Sequence, residues 1–178
     1  MLDAVNLSTS IEDDNQSWIN IVNNISFTIN SGETFALIGE SGSGKSMTAL
    51  SLMRLLPAKA AYLNASKIIL HGQDILTLAE KDMQKVRGAD MAMIFQDPMT
   101  SLNPVLTVGQ QILEVLALHR QMRGSIATIE TMRLLEAVKI ADPVRRFACY
   151  PHELSGGMQQ RVMIAMALAC KPSLLIAD

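Results

Sequence analysis

The sequence predicts an α/β fold with a parallel sheet, antiparallel strands at the N-terminus and a helical insertion in the middle of the chain. Three observations predict it. The run Phe35 to Ile38 is apolar at every position, as in a central strand covered by helices on both faces. A glycine-rich loop at residues 39–46 follows that run and leads into a helical pattern. Residues 25–29 alternate apolar and polar side chains, which indicates a half-buried strand before the loop.

Length and composition limit the classes of protein to which the chain can belong. At 178 residues, the chain forms one domain or part of one. Only 18% of its residues are charged, so we expect some apolar surface to face a partner. The longest wholly apolar run near the end, Val162 to Cys170, is far shorter than the roughly 20 residues of a membrane-spanning helix. The acidic N-terminus lacks the features of a signal peptide, which places the chain in the cytoplasm.

Charge and cysteine spacing exclude two further classes. The formal charge is −2, and no basic block exceeds the pair Arg145-Arg146, so the chain lacks the basic surface of a nucleic-acid binder. The two cysteines, Cys149 and Cys170, are far apart and form no cluster with a histidine. A structural zinc site or a disulfide framework is therefore not expected.

The remaining elements are predicted from periodicity and from turn residues. Apolar residues at three-residue intervals predict a helix over 46–56 that stops before Pro57. Three elements follow in order: a strand at 67–71, a short helix opened by the capping box Thr77-x-x-Glu80 and closed near Gly88, and a strand at 91–95. A loop with two prolines occupies residues 96–106. A second capping box, Thr107-x-x-Gln110, opens a helix, and another amphipathic helix fits 126–138 before Asp142-Pro143.

The loop at residues 39–46 has the chemistry of a phosphate-binding site. Gly39, Gly44, Lys45 and Ser46 match the pattern G-x-x-x-x-G-K-[ST]. Glycines let successive backbone N–H groups face an anion, and the following helix directs its positive end to the same point. Lys45 adds a full charge and the Ser46 hydroxyl can coordinate Mg²⁺. The predicted nucleotide-binding residues are Gly39, Glu40, Ser41, Gly42, Ser43, Gly44, Lys45, Ser46 and Met47.

A second helix start has the same chemistry. In "LSGGMQQR", residues 154–161, Ser155 can cap a helix, while Gly156 and Gly157 leave the backbone bare. In isolation this pattern favours a plain capped turn. Its order after a phosphate loop favours a second nucleotide contact.

Together these motifs carry a family resemblance. With "GESGSGKS", Gln96 in "FQDPMTSLNP", "LSGGMQQR" and "LLIAD" ending at Asp178, the whole chain resembles the nucleotide-binding domain of ABC transporters, which has a P-loop NTPase core. The segments "MAMIFQDPMTSLNP" and "YPHELSGGMQQRVMIAMAL" are most similar to the ATPase subunits of peptide and nickel importers, including the dipeptide, oligopeptide, glutathione and microcin C types.

The resemblance implies a role for each motif. Gly39 to Ser46 form the Walker A loop, and Gln96 contacts Mg²⁺ and relays to membrane subunits. Ser155, Gly156 and Gly157 meet the γ-phosphate of ATP bound by a second ATPase subunit. Asp178 is the Walker B carboxylate. The catalytic residues implied are Lys45, Gln96 and Asp178, and those facing the metal are Ser46, Gln96 and Asp178.

The same resemblance implies the assembly. ATP binding and hydrolysis at a head-to-tail dimer, of identical or different ATPase subunits, drive import of peptides or similar small solutes. The other partners implied are two membrane permease subunits and a solute-binding protein, with no nucleic acid, at the cytoplasmic side of the inner membrane. We expect residues 1–95 to form part of the P-loop core, 96–150 the Q-loop and helical subdomain, and 151–178 the signature helix and Walker B strand.

The sequence departs from the family pattern in two respects. The family's glutamate after Walker B, the loop that follows it and a later histidine lie outside residues 1–178, as does the strand between the Walker A and Walker B strands. We therefore expect an incomplete sheet, and a chain that binds nucleotide but hydrolyses little or none alone. Trp18 is the only aromatic residue near the expected adenine-stacking position, and a packing role is favoured for it. His152 and the segment 120–124 are predicted to lie at the surface.

Two alternatives stay open. One is a nucleotide-binding fragment without turnover, which the missing motifs favour. The other is a soluble ABC-type ATPase that acts on nucleic acid. The second is disfavoured because Lys45 and Ser155 are only 110 positions apart (155 − 45), too close for a long coiled-coil arm, and no basic stripe faces a phosphate backbone.

Overall fold

A computed structural model describes residues 1–97 and 101–178 of the chain. Residues 98–100, inside the predicted loop at 96–106, lie outside the described residues. The chain divides into two compact units, Met1–Met83 and Gln84–Asp178, and each is described by itself. The division predicted at residues 95 and 150 stays a prediction.

The first unit contains an antiparallel sheet, as predicted for the N-terminus. Its strands are β1 (Leu2–Glu12), β2 (Trp18–Ile29), β3 (Ala60–Tyr62), β4 (Lys67–Leu70) and β5 (Gln73–Asp74). They lie in the order β2-β1-β4-β5, and β3 pairs with β1 beside β4. The predicted alternation at residues 25–29 falls within β2, where odd positions are half-buried and even positions exposed. Leu7 and Ile68, both fully buried, are part of the core on one face of this sheet.

The predicted central strand at Phe35 to Ile38 is wrong. These residues form no strand, and the exposed fractions of Phe35, Leu37 and Ile38 are 40%, 43% and 91%. A strand exists only where a neighbour supplies ladder hydrogen bonds, and no strand among the described residues pairs with this segment. Only Phe35 has an aromatic neighbour, since its ring stacks on Phe27 of β2 with centroids 4.9 Å apart.

The helix after the glycine-rich loop is shorter than predicted. Helix α1 spans Lys45–Leu52, because Arg54 turns the backbone with a φ of 51°. The Arg54 guanidinium donates to the carbonyls of Ile75 and Leu78, at 2.9 and 2.8 Å, which holds the chain in this turn. Tertiary hydrogen bonds therefore end α1 five residues before Pro57.

The predicted capping box at Thr77 is also wrong. The Thr77 hydroxyl donates to the Asp74 carbonyl in a 3-10 turn at Ile75–Thr77. Helix α2 spans Glu80–Ala89, and the Met83 N–H bonds to the Ala79 carbonyl at its start. The predicted end near Gly88 is confirmed, since Gly88 has a non-helical φ of 86°.

The second unit combines two parallel strands with a group of helices. Its elements are β6 (Met91–Ile94), α3 (Val108–Arg120), α4 (Gly124–Ala137), α5 (Pro143–Phe147), a 3-10 turn (Pro151–Glu153), α6 (Gly156–Leu168) and β7 (Leu174–Ala177). Strand β6 pairs with β7 in parallel from Met91–Leu174 to Ile94–Ala177. In the described ranges no helix is long and apolar enough to cross a bilayer.

One apolar core fixes the helices of the second unit. Val108, Ile112 and Leu116 of α3 are fully buried there. The predicted capping box is confirmed, because the Gln110 N–H donates to Thr107 Oγ1 and the Thr107 N–H to Gln110 Oε1. The other buried members are Leu102, Ala127, Leu134, Leu135, Ile140, Leu154, Val162, Ala165 and Ala169.

Arg120 links three helices of this unit. Of the segment 120–124, which was predicted to be a solvated helix end, Gln121, Arg123 and Gly124 are exposed, but Arg120 itself is half-buried. Its Nη1 donates to Glu130 Oε1 of α4 at 2.8 Å and to the Ala169 carbonyl, just after α6, at 3.0 Å. Arg133 makes two further hydrogen bonds to the Glu130 carboxylate, at 2.8 and 2.9 Å. These hydrogen bonds lower the pKa of Glu130 to about 2.

We predict that Glu130→Gln lowers the free energy of unfolding of the chain by about 1–3 kcal/mol at pH 7, because it leaves Arg120 without its carboxylate partner. The pKa of Glu130 in the folded chain lies below its ordinary value of 4.5, so its contribution to stability is full above pH 4.5 and is lost as the pH falls toward 2. Urea denaturation of both forms from pH 7 to pH 3 measures the difference. The exposed Glu136→Gln on the same helix is the control, and an equal loss from both variants would contradict the prediction.

Candidate functional site

The glycine-rich loop folds around the amine of Lys45, the first residue of α1. Its Nζ donates to the carbonyls of Gly39 and Glu40, at 2.9 and 2.5 Å, and lies 3.4 Å from Ser43 Oγ. The Ser43 N–H bonds in turn to the Glu40 carbonyl. A positive charge is thus held within a loop of exposed backbone, where an incoming anion would meet it directly.

Two glycines in the loop lie at close contacts, but they differ in how strictly glycine is required. A Cβ on Gly39 would lie 2.5 Å from Ser43 Oγ, a side-chain atom that can move by rotation about χ1. A Cβ on Gly44 would lie 2.7 Å from the carbonyl oxygen of Ile21 in β2, and its φ of 87° is left-handed. Strand β2 therefore supports the loop from behind through backbone contact, which no side chain at position 44 would allow.

The start of α1 suits an anion for a second reason. Gly44 is its N-cap residue and has no side chain to accept from the first-turn N–H groups. The Thr48 N–H donates to the Gly44 carbonyl at 2.8 Å, so the helical hydrogen bonds begin at once. The partial positive charge of the helix end and the Lys45 ammonium therefore lie at the same end of α1.

The second predicted anion contact lies at the start of α6. Ser155 caps this helix, and its Oγ accepts from the Met158 N–H at 3.4 Å. Gly156 and Gly157 are exposed, and a Cβ on either would meet nothing within 4 Å. Neither has a positive φ. The backbone at these two positions is therefore open to solvent, with no side chain of the described part of the chain against it.

Gln96 and Asp178 lie at one edge of the small parallel sheet. Asp178 directly follows β7, and its N–H donates to the carbonyl of Ile94, the last residue of β6, at 3.0 Å. Gln96 comes two residues after Ile94 and is exposed, as is Asp178. Carboxyl ends of parallel strands are where ligands bind in α/β proteins. The structure therefore brings these two predicted residues to the same edge.

The predicted site residues fall in both units. The first unit holds the loop, in which Glu40, Ser41, Gly42 and Ser46 are exposed and Met47 is half-buried on α1. The second unit holds Gln96, Ser155, Gly156, Gly157 and Asp178. The described residues contain no group of three His, Cys, Asp or Glu side chains able to hold a metal ion. The hydroxyl, amide and carboxylate of Ser46, Gln96 and Asp178 are the oxygen ligands that Mg²⁺ prefers, usually with substrate phosphates and water.

Several contacts at the site were not predicted. Ile21 against Gly44 joins residues far apart in sequence, so no local pattern indicates it. Trp18 is 56% exposed on β2 and does not have the packing role favoured for it. His152 is exposed, as predicted, and its ring also stacks on that of Tyr150 with centroids 5.7 Å apart. Gln159 lies on α6 and is buried, although its exposed neighbours Gly156 and Gly157 would suggest an open surface.

Comparison with known proteins gives one family. The sequence profile described as ABC transporter matches residues 22–178. The "Probable peptide ABC transporter ATP-binding protein y4tR" of Sinorhizobium fredii is 49% identical over all of this chain and 53% of its own length. The "Glutathione import ATP-binding protein GsiA" of Escherichia coli (strain K12) is 50% identical over all of this chain and 29% of its own length. The chain thus spans about half the length of the first relative and under a third of the length of the second.

Solved structures give the same fold. The dimeric ATP-binding cassette MJ0796, in a post-hydrolysis state bound to ADP and Pi, has a TM-score of 0.88 and 26% identity. The match covers all of this chain and 73% of that one. The α/β fold predicted from the sequence is therefore confirmed.

We predict that replacement by alanine lowers the stability of the chain at one of the site glycines and leaves it almost unchanged at another. Gly44→Ala should lower the free energy of unfolding by about 1–3 kcal/mol, because the methyl group meets the Ile21 carbonyl and φ is left-handed. Gly156→Ala should change it by less than about 0.5 kcal/mol, or raise it slightly, because the position is open and helical. Urea denaturation followed by circular dichroism measures both, and equal losses would contradict the geometry.

Proposed function

The chain belongs to the ABC transporter family, and from that premise we propose that it is the ATP-binding part of an importer for peptides or similar small solutes. Its loop at residues 39–46 binds the phosphates of ATP. Binding and hydrolysis of ATP then drive movements of membrane subunits. The peptide and glutathione transporters among its relatives support this class of solute.

The observation that carries the proposal is the position of the Lys45 amine. Its present partners are two loop carbonyls and a hydroxyl, which are neutral acceptors. Phosphate oxygens carry full negative charge and form stronger, charge-assisted hydrogen bonds with an ammonium. A triphosphate entering the loop therefore replaces weaker partners of Lys45 with stronger ones, and meets the positive end of α1 at the same place.

The start of α6 acts on a nucleotide bound by another copy of the ATPase subunit. Gly156 and Gly157 leave the backbone open to solvent, and the similar cassette MJ0796 is dimeric. We assign the Ser155 hydroxyl and the backbone amides beside it to the γ-phosphate of that nucleotide. ATP then binds the closed pair of subunits more tightly than the open pair, and this difference closes the pair. Loss of the γ-phosphate removes the contact and reopens it.

We also assign Gln96 and Asp178, which follow the two parallel strands, to the nucleotide. Bound Mg²⁺ would neutralise charge on the phosphates, and Ser46, Gln96 and Asp178 supply oxygen atoms suited to hold it. Because Gln96 begins the segment that leads toward the helices of the second unit, it also relays the state of the site to partners that bind those helices. Lys45, Gln96 and Asp178 are therefore the residues assigned to catalysis.

The helices of the second unit offer the surface for membrane subunits. Five large apolar side chains of this unit are more than half exposed: Val105, Leu118, Ile126, Ile129 and Val144. Beside Leu118 lies an open depression of about 670 Å³, lined also by Glu114, Ala117, Gln121 and Arg123. Apolar side chains beside charged ones are typical of a surface that binds another protein. This docking would place the chain at the cytoplasmic face of the membrane.

Trp18 is assigned to the base of the nucleotide. It lies three residues from Ile21 along β2, a distance of about 10 Å in an extended strand, and Ile21 contacts the loop at Gly44. An exposed indole at this distance from the phosphate site can stack on a purine.

We predict that ATP quenches the fluorescence of Trp18, the only tryptophan in the chain. Stacking on a base is worth about 1–2 kcal/mol, so Trp18→Ala should weaken ATP binding about 5–30-fold in calorimetric titrations. Ile19→Ala is the matched control, since Ile19 is similarly exposed on the same strand but on its other face. ATP binding that leaves both the fluorescence and the Trp18→Ala affinity unchanged would contradict the assignment.

The proposal as a whole is tested by ATP binding and turnover. Lys45→Ala should weaken ATP binding at least tenfold, because it removes the full charge from the loop. Lys59→Ala, which removes an exposed lysine of the same unit, is the control. No ATP binding by the unmodified chain, or equal binding by the two lysine variants, would overturn the proposed function.

A further inference from the structure

The five residues ahead of Ser155 form an ordered turn. The Tyr150 N–H donates to Glu153 Oε2 at 2.7 Å, and the Glu153 N–H donates back to the Tyr150 carbonyl at 3.0 Å. The Leu154 N–H bonds to the Pro151 carbonyl at 3.0 Å. The turn leads directly into Ser155, so its position decides where the start of α6 presents its backbone.

Gln159 fastens this turn to the helix. It lies in the second turn of α6 and is only 7% exposed. Its Nε2 donates to the Pro151 carbonyl at 2.8 Å and to the Leu154 carbonyl at 3.4 Å. One amide group thus bonds to both ends of the segment 151–154. The Leu154 carbonyl belongs to the peptide bond that joins Leu154 to Ser155, so this contact acts on the peptide plane that orients the cap residue.

The carbonyl oxygen of the Gln159 amide accepts no hydrogen bond from the described part of the chain. This oxygen, Oε1, is buried. A buried acceptor without a partner costs about 1–3 kcal/mol. Turning the amide over would place this oxygen against two carbonyl oxygens, so the two donated bonds fix its orientation. A polar side chain that keeps this cost in a core position points to a role beyond packing.

We propose that Gln159 is a positioning residue for the start of α6: its two donated hydrogen bonds hold Ser155, Gly156 and Gly157 in the geometry that receives the γ-phosphate of a nucleotide on a second copy of the chain. This inference rests on the proposed function. It concerns the in-trans contact alone, because Gln159 belongs to the second unit and the phosphate loop to the first.

One substitution at Gln159 removes the hydrogen-bond donor without changing the size of the side chain much. Methionine matches glutamine in length and flexibility and packs well in a core, but it donates no hydrogen bond. Gln159→Met therefore keeps the volume, removes the unpartnered oxygen and breaks only the link to the turn. Gln160 is the next residue on the same helix and is exposed, so Gln160→Met is the matched control.

The experiment measures three properties of the chain with a nonhydrolysable ATP analogue, adenosine 5′-(β,γ-imido)triphosphate. Calorimetry gives the affinity for the analogue, sedimentation velocity gives self-association in its presence, and hydrogen exchange reports on the amides of residues 154–158. Gln159→Met should leave the affinity within about twofold, weaken self-association about tenfold and speed amide exchange at 154–158. Gln160→Met should leave all three unchanged.

Each outcome supports or overturns the inference about Gln159 or the proposed function. Analogue-driven self-association of Gln159→Met equal to that of the unmodified chain overturns the inference and leaves the proposed function intact. An unmodified chain that does not bind the analogue overturns the proposed function, and one that binds it but stays monomeric overturns the in-trans contact and this inference with it. If Gln159→Met lowers the melting temperature by more than about 5 °C, Gln159→Leu takes its place, since it also suits a buried apolar site and donates no hydrogen bond.

Discussion

A backbone amide that no side chain crowds is the group on which both segments proposed to face the nucleotide depend. A phosphate that leaves water must receive strong donors in exchange, and only bare backbone brings several N–H groups within reach of one anion. The glycines of the two segments stand in different surroundings. At Gly44 the fold itself disfavours a side chain, because the Ile21 carbonyl occupies the space and φ is left-handed. At Gly156 and Gly157 the space is open, so nothing in the described chain blocks an approaching anion there.

Local signals predicted the elements that local contacts hold. The capping box at Thr107, the alternation in β2 and the cap at Ser155 each rest on residues within a few positions of one another. The capping box predicted at Thr77 failed for a local reason, since the Thr77 hydroxyl bonds to the Asp74 carbonyl. Two other failures depend on residues distant in sequence. Phe35 to Ile38 is apolar enough for a central strand, yet no described strand pairs with it. Helix α1 ends early because Arg54 bonds to carbonyls more than 20 residues away.

For the candidate site too, features set by local motifs were predicted and contacts between separate elements were not. The motifs predicted which residues present charge and bare backbone, since those depend on residue type and spacing. They did not predict what holds them in place. The Ile21 carbonyl against Gly44 and the hydrogen bonds of the Gln159 amide to the turn before Ser155 both join separate elements. A pattern along the chain has no means to register such contacts, although each one decides where a predicted residue lies.

The central claim is that the phosphates, gripped by the loop and Lys45, supply most of the affinity for the nucleotide. Calorimetric titration of the chain with ATP and with adenosine, in parallel with the Lys45→Met variant, tests it most directly. The account predicts that adenosine binds at least about 100-fold more weakly than ATP, and that Lys45→Met removes most of this difference. Adenosine binding as tightly as ATP, or a preference for ATP that survives Lys45→Met, would contradict it.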